Sequence, residues 1–245
     1  MRVVYGLNPV RELLRASSAE VSELWLAEGG TRGAAFAELE RLARRAGAKL
    51  RTAPRQKLDR LAATDRHQGI VAVVADFRYA DLDELVAAAK ASGRPPLLVV
   101  LDGVEDPHNL GAIIRSAHAL GAHGVVIPKD RAVGVTPAVA KASAGAVERL
   151  PVARVTNVAQ AIETLKGEGI WSVALAAVAD KPLAEHDLRG PTALVLGSEA
   201  EGLRTLVRKT CDLAASIPML GDLDSLSVSA TAAVALYETA RQRGR

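Results

Sequence analysis

The chain has 245 residues, 49% of them hydrophobic, which is enough to bury one large core or two small ones. No run approaches the ~20 apolar residues of a membrane-spanning helix, Met1-Arg-Val-Val-Tyr-Gly-Leu7 lacks the apolar stretch of a signal peptide, and the single Cys211 excludes a disulfide within the chain, so a cytoplasmic protein is expected. The net charge of +3 hides an asymmetry: residues 1–76 carry 13 Lys and Arg against 9 Asp and Glu, whereas residues 77–245 carry 18 against 19.

Asn8-Pro9 reads as a cap followed by proline at the first helical position, opening a helix through Leu14. Val21 to Leu26 reads as a strand. Ala34 to Ala46 has helical spacing, with Gly47 as its stop. Lys49 to Thr52 is a short strand, and Gln68 to Ala75 is a buried strand that closes a small α/β unit. Between Arg41 and Arg60 lie eight basic residues and one acid, Asp59. Charge clustered in this way is a footprint for a polyanion; the alternative is a solvated helix face followed by a loop. Aromatic residues make up only 3% of the chain, which argues against a sheet that stacks successive bases on Phe and Tyr. A nucleic-acid partner would be gripped by Arg, Lys and backbone groups.

Asp83 to Ala91 predicts a short helix, and Ser92-Gly-Arg-Pro-Pro96 is a punctuated linker. The expected division is therefore residues 1–76, a linker over 77–95, and a second domain over 96–245. That second part repeats β and α patterns. Strands are expected at Leu97–Asp102, Gly124–Pro128, Val152–Val155, Trp171–Ala176, Thr192–Leu196 and Leu213–Ile217, with a long helix from about Ser225 to Arg241. Nearly continuous apolar strands imply a parallel sheet covered on both faces, hence an α/β fold.

Polar groups gather where these strands end, the usual place for ligand sites in open α/β sheets. The sequence after the first of them, Asp102-Gly-Val-Glu-Asp-Pro-His-Asn109, does not fit a dinucleotide-binding glycine pattern, and no phosphate-binding loop of the Gly-x-x-x-x-Gly-Lys type occurs. The five histidines are scattered and His118 and His123 are five apart, so no metal site is expected. Gly197, Gly202 and Gly221 fall on strand-to-loop turns, where glycine lets backbone approach a ligand closely, although turn glycines are common. Asn109 reads as a helix N-cap. Arg115 lies almost two turns further on, among Ala112, Ile113, Ile114 and Ala117, and requires an acceptor. Glu199 could supply it, or the guanidinium fork could grip a phosphate. Cys211 lies between two core segments and is expected to be a buried filler.

Three segments carry a resemblance: Asp106-Pro-His-Asn109-Leu-Gly-Ala-Ile-Ile-Arg115, Leu194-Val-Leu-Gly197-Ser-Glu199-Ala-Glu-Gly202-Leu, and Ile217-Pro-Met-Leu-Gly221 running into Ser225-Leu-Ser-Val-Ser229. In order and wording they resemble the three motifs of the SpoU/TrmH family of SPOUT-class RNA ribose 2′-O-methyltransferases. Over nearly its whole length the chain looks most like the RlmB-type branch, which methylates a guanosine ribose in 23S ribosomal RNA. The resemblance implies a C-terminal SPOUT domain with a trefoil knot, a small N-terminal RNA-binding domain, and a homodimer packed through the terminal helix. It implies S-adenosylmethionine as cofactor, held by Gly197, Ile217, Met219 and Leu226, and no metal. By the same route Asn109, Arg115, Glu199, Ser225 and Ser227 become the catalytic group. A transfer RNA or another ribosomal nucleotide stays open as substrate, as does a non-catalytic RNA-binding or ribosome-assembly protein of the same fold. The family commonly reads Ser-Leu-Asn-Val-Ser where this chain has Ser225-Leu-Ser227-Val-Ser229, which leaves a single hydroxyl in place of an amide at residue 227.

Overall fold

The structure, a computed structural model, describes residues 1–16, 21–29, 33–198, 200–222 and 224–244. Its first elements are β1 (Arg2–Tyr5), α1 (Leu7–Ala16), β2 (Val21–Ala27), α2 (Ala34–Arg45), β3 (Lys49–Ala53), α3 (Arg55–Ala62) and β4 (Ile70–Val74). They build a four-stranded sheet in the order β1-β4-β2-β3, with only the β2–β3 pair parallel. On one face α3 packs Leu58 and Leu61 against Val71 and Trp25. The stripe Val10, Leu13 and Leu14 of α1 and Leu39 of α2 fill the other side.

Helix α1 starts at Leu7 rather than at an Asn8 cap. The Leu7 N–H donates to Gln68 Oε1 at 3.0 Å, so a side chain 61 residues away serves the first turn, and Asn8 sits inside the helix accepting from Arg11. β1 and α3 lie outside the expected elements. Four residues are too few to show a period, and α3 carries two leucines among mostly polar side chains, so only packing against the sheet makes it a helix.

The larger set comprises α4 (Leu82–Ala91), β5 (Leu97–Asp102), α5 (Pro107–Ala119), β6 (Gly124–Pro128), α6 (Pro137–Ala142), β7 (Val152–Val155), α7 (Val158–Gly167), β8 (Trp171–Leu175), β9 (Lys181–Pro182), β10 (Thr192–Gly197), α8 (Thr205–Thr210), β11 (Leu213–Ser216) and α9 (Val228–Gln242). Seven of these strands form one sheet in the order β7-β6-β5-β10-β8-β11-β9, every neighbouring pair parallel. Every residue of β5, β6 and β10 is buried, as a sheet covered on both faces requires. One core joins Leu98, Val100, Val126 and Val195 of the sheet to Ile162 and Leu165 of α7 and to Leu85 and Val86 of α4. Each such side chain contributes roughly 1.5–3 kcal/mol by leaving water. The segment read as a linker thus carries a helix that is part of this core.

The chain divides into two compact units, Met1–Arg78 with Val135–Arg149, and Tyr79–Gly134 with Leu150–Arg245. α6 therefore groups with the smaller unit, where the Arg2 guanidinium forks onto both oxygens of Glu148 at 2.8 and 2.7 Å. That pair is nearly buried and hydrogen-bonded at both ends.

Candidate active site

In the larger unit, β5, β10 and β11 run in the same direction and end at one edge of the sheet. The chain leaves β10 at Gly197 and turns sharply. Ser198 N–H donates to the Gly202 carbonyl at 3.1 Å and Gly202 N–H donates back at 3.0 Å, with Gly202 in the left-handed region at φ +68°. A Cβ on Gly197 would lie 2.0 Å from the Gly202 carbonyl carbon and 2.2 Å from Leu203 N. No other residue type fits here without moving backbone.

The turn is anchored from β5. Asp102, the last residue of that strand and 2% exposed, accepts the Arg204 N–H at 3.0 Å and the Arg204 Nε–H at 2.8 Å, and Arg204 Nη2 reaches the same carboxylate. This hydrogen bonding raises the Arg204 guanidinium above its ordinary pKa. A carboxylate closing a fully buried strand has to be paired, and that signal is present at the end of Leu97–Asp102. Neither Asp102 nor Arg204 is among the residues singled out from the sequence.

A cavity of about 400 Å³ opens beside the turn. It is bounded by residues 175–178 after β8, by the 196–203 turn, by the segment between β11 and α9, and by Val228 and Thr231 of α9. Gly197, Ile217, Met219, Ser225 and Leu226 all line it, so three separate stretches of sequence meet in one space. Its walls combine apolar side chains and backbone with the carboxylates of Glu201 and Asp224 and the guanidinium of Arg208. Size and lining suit a small amphipathic ligand.

Helix α5 is capped by Asp106, whose carboxylate accepts the His108 N–H at 2.9 Å, with Pro107 at the first position. The expectation of an Asn109 cap is corrected: Asn109 sits in the first turn, where its Oδ1 accepts the Ser229 hydroxyl at 2.7 Å. Ser229 Oγ lies 3.2 Å from Ser227 Oγ, and Ser227 Oγ accepts the Ala230 N–H at 3.2 Å. Ser227 is thus the N-cap of α9. The terminal helix begins at Val228, and Ser225 remains in the preceding loop. The first turns of α5 and α9 are joined through Asn109 and Ser229.

Arg115 lies six residues beyond Asn109, about 9 Å along the helix axis. Its neighbours Ile113, Ile114 and Ala117 are buried, but Arg115 itself is exposed and makes no hydrogen bond or ion pair with any described residue. The expected pairing within the fold is not needed, because the guanidinium stands in solvent. Glu199 lies outside the described residues. Among the described residues no group of three or more His, Cys, Asp or Glu could hold a metal ion. Burial pushes the Cys211 thiol up to about 12, which makes it inert, and its Sγ donates to the Val207 carbonyl.

Residues 96–237 match the family described as SpoU rRNA Methylase. The chain belongs to that family. Residues 3–80 match a second description, RNA 2′-O ribose methyltransferase substrate binding. The SpoU methylase chain is an S-adenosylmethionine-dependent RNA ribose 2′-O-methyltransferase. It is 47% identical over 240 residues to a putative TrmH family tRNA/rRNA methyltransferase, YacO, of Bacillus subtilis, covering 98% of this chain and 95% of that one. It is 42% identical over 243 residues to the 23S rRNA (guanosine-2′-O-)-methyltransferase RlmB of Ralstonia nicotianae, covering 99% and 96%. Among solved structures, the SpoU methyltransferase AviRb of Streptomyces viridochromogenes in complex with AdoMet aligns with a TM-score of 0.82 at 28% identity, covering 98% and 90%.

Proposed function

We propose that this SpoU methylase modifies a guanosine ribose of 23S ribosomal RNA, with the cavity beside Gly197 holding the cofactor and Asn109, Arg115, Glu199, Ser225 and Ser227 forming the catalytic group. The observation that carries the cofactor assignment is the absence of room at Gly197: the turn closes so tightly that backbone itself walls the cavity. Apolar walls from Ile217, Met219 and Leu226 suit an adenine face and a thioether chain, while Glu201 and Asp224 suit hydroxyl and amine donors. When bound, S-adenosylmethionine supplies an activated methyl group with its own leaving group.

The residues of the chain then orient the acceptor. Asn109 is held at the start of α5 by Ser229, and the exposed Arg115 fork takes the phosphate beside the reactive ribose. A guanidinium is a poor general base by itself, so its contribution is positioning of the 2′-hydroxyl with phosphate-coupled proton removal. Positioning of this kind supplies up to ~7–11 kcal/mol of barrier reduction. Ser227 keeps the cap of α9 and a hydroxyl beside Ser229, doing with one group what the family's asparagine does with an amide.

Ribosomal rather than transfer RNA is favoured by near-full-length relatedness to enzymes named for 23S rRNA and by the cationic N-terminal unit. We include in this reading a cytoplasmic homodimer joined through α9, whose Val234 and Tyr237 are exposed, and the trefoil knot. Ribose-methylation mapping of 23S rRNA from a deletion strain, with and without the restored gene, tests it. One guanosine that loses and regains its mark is expected, and an unchanged map refutes the reading.

A further inference from the structure

A second cavity, of about 340 Å³, is lined by residues at and beyond the ends of β5 and β6 and by Ser198, Ala200, Glu201, Gly202 and Arg204 beyond β10. It shares Ser198, Glu201 and Gly202 with the cofactor cavity, so the two adjoin. Asp102 and Arg204 form part of its wall and are spent on each other. Glu105, Asp130, Glu201 and Arg131 also line it, and the side chains of these four are exposed and bonded to no described residue. Their hydrogen-bonding capacity is left for something outside the chain.

The chemistry of the cavity limits that occupant. Three carboxylates disfavour a phosphate, and among the described residues they do not converge closely enough to hold a metal ion. Carboxylates only accept hydrogen bonds, so the occupant has to offer N–H or O–H donors. Arg131, adjacent to Asp130, only donates, so the same occupant has to offer acceptors on a neighbouring edge. Of the four RNA bases only guanine presents two adjacent N–H donor groups, N1–H and the 2-amino group, to one carboxylate. It also presents O6 and N7 as acceptors for a guanidinium. Glu105 further stands four residues before Asn109, so a base here keeps its ribose near the proposed catalytic group.

We infer that this cavity is the target-base subsite, in which Glu105 and Asp130 read the N1–H and 2-amino edge of a guanine and Arg131 reads O6. The inference rests on the proposed guanosine activity and adds the residues that set base specificity. None of them lines the cofactor cavity except Glu201, which is left out of the assignment for that reason.

The test is single-turnover methylation of a synthetic 23S rRNA stem-loop carrying guanosine, inosine or adenosine at the mapped position. Wild-type protein should methylate guanosine roughly 10- to 100-fold faster than inosine, which lacks only the 2-amino group. The double variant Glu105→Gln/Asp130→Asn should lose most of its guanosine rate, lose less on inosine, which offers only N1–H to these carboxylates, and discriminate less than threefold. The single variants then assign the edge. S-adenosylmethionine titration and thermal melting should not move in any variant, since both carboxylates are exposed and unbonded to described residues. Equal wild-type rates on guanosine and inosine, or undiminished discrimination in the double variant, overturn the subsite. A wild-type protein inactive on guanosine RNA but active on another nucleotide overturns the functional reading, and this subsite with it.

Discussion

Replacing Gly197 by alanine isolates the tightest approach in the proposed cofactor cavity. The added Cβ would sit 2.0 Å from Gly202 C and 2.2 Å from Gly202 O and Leu203 N. Carbon atoms settle at about 3.5–4.0 Å, so the backbone of Gly202–Leu203 has to retreat by about 1.5 Å. That movement breaks the two hydrogen bonds between Ser198 and Gly202, each worth about 0.5–1.5 kcal/mol. The stability loss is then about 1–3 kcal/mol, which lowers Tm by roughly 2–12 °C for a chain of this size. Restoring the turn around a ligand would cost the same energy again, weakening S-adenosylmethionine binding by about 5- to 150-fold. Gly221→Ala is the control. Nothing lies within 4 Å of its added Cβ and its φ is ordinary, so its effect should stay within about 0.5 kcal/mol. Calorimetric titration and thermal melting of the two variants beside wild type decide the matter. A Gly197→Ala protein with wild-type affinity and Tm would refute the assignment of this turn as the cavity wall.

Arg115→Lys and Arg115→Ala should leave cofactor binding and melting unchanged, because the side chain is exposed and bonded to no described residue. Methyl transfer should fall far more than RNA affinity, as expected of an interaction realised chiefly in the transition state, and parallel loss of Tm and activity in the alanine variant would instead mark a structural arginine. Ser227→Ala removes the α9 cap and should cost about 0.5–2 kcal/mol of stability together with a moderate loss of turnover, whereas Ser227→Asn should keep the cap and equal or exceed wild-type turnover; denaturant melts and initial rates read both. On the N-terminal unit, Lys57 lies 4.2 Å and Arg51 5.9 Å from the Trp25 ring, and Arg60 borders the same α3 surface. Arg51→Gln/Lys57→Gln/Arg60→Gln should weaken rRNA-fragment binding and flatten its dependence on log salt by about 0.7–0.9 for every phosphate that is no longer neutralised. An unchanged salt slope in filter binding would place the phosphate-binding groups elsewhere.

Much of the larger unit could be read from local pattern. The bounds expected for β5, β6 and β7 coincide with the observed strands; β5 and β6 are apolar runs buried on both faces, whereas β7, at the end of the sheet, is buried only at Val152 and Ala153. In the smaller unit β2, β3 and β4 were legible in the same way, but β1, α3 and the start of α1 were not. α3 owes its helix to Val71 and Trp25, and the start of α1 to Gln68, partners that no local window contains.

The sequence by itself determined an α/β chain with a basic N-terminal part, and it placed glycines and polar groups at strand ends. Assigning those glycines to a cofactor depended on the resemblance of three motifs, since turn glycines are common. Only the tertiary structure decided which strand ends meet. Asp102 and Arg204 are 102 residues apart, and Asn109 and Ser229 are 120 apart. Both pairs exist because β10 inserts beside β5 and α9 packs against α5. Strand order is set by how buried faces pair across the whole sheet, and a residue's own neighbours in sequence carry no record of it. For the same reason Arg115 reads as a buried ion among its apolar neighbours in sequence. The helix turns them inward and leaves its guanidinium in solvent.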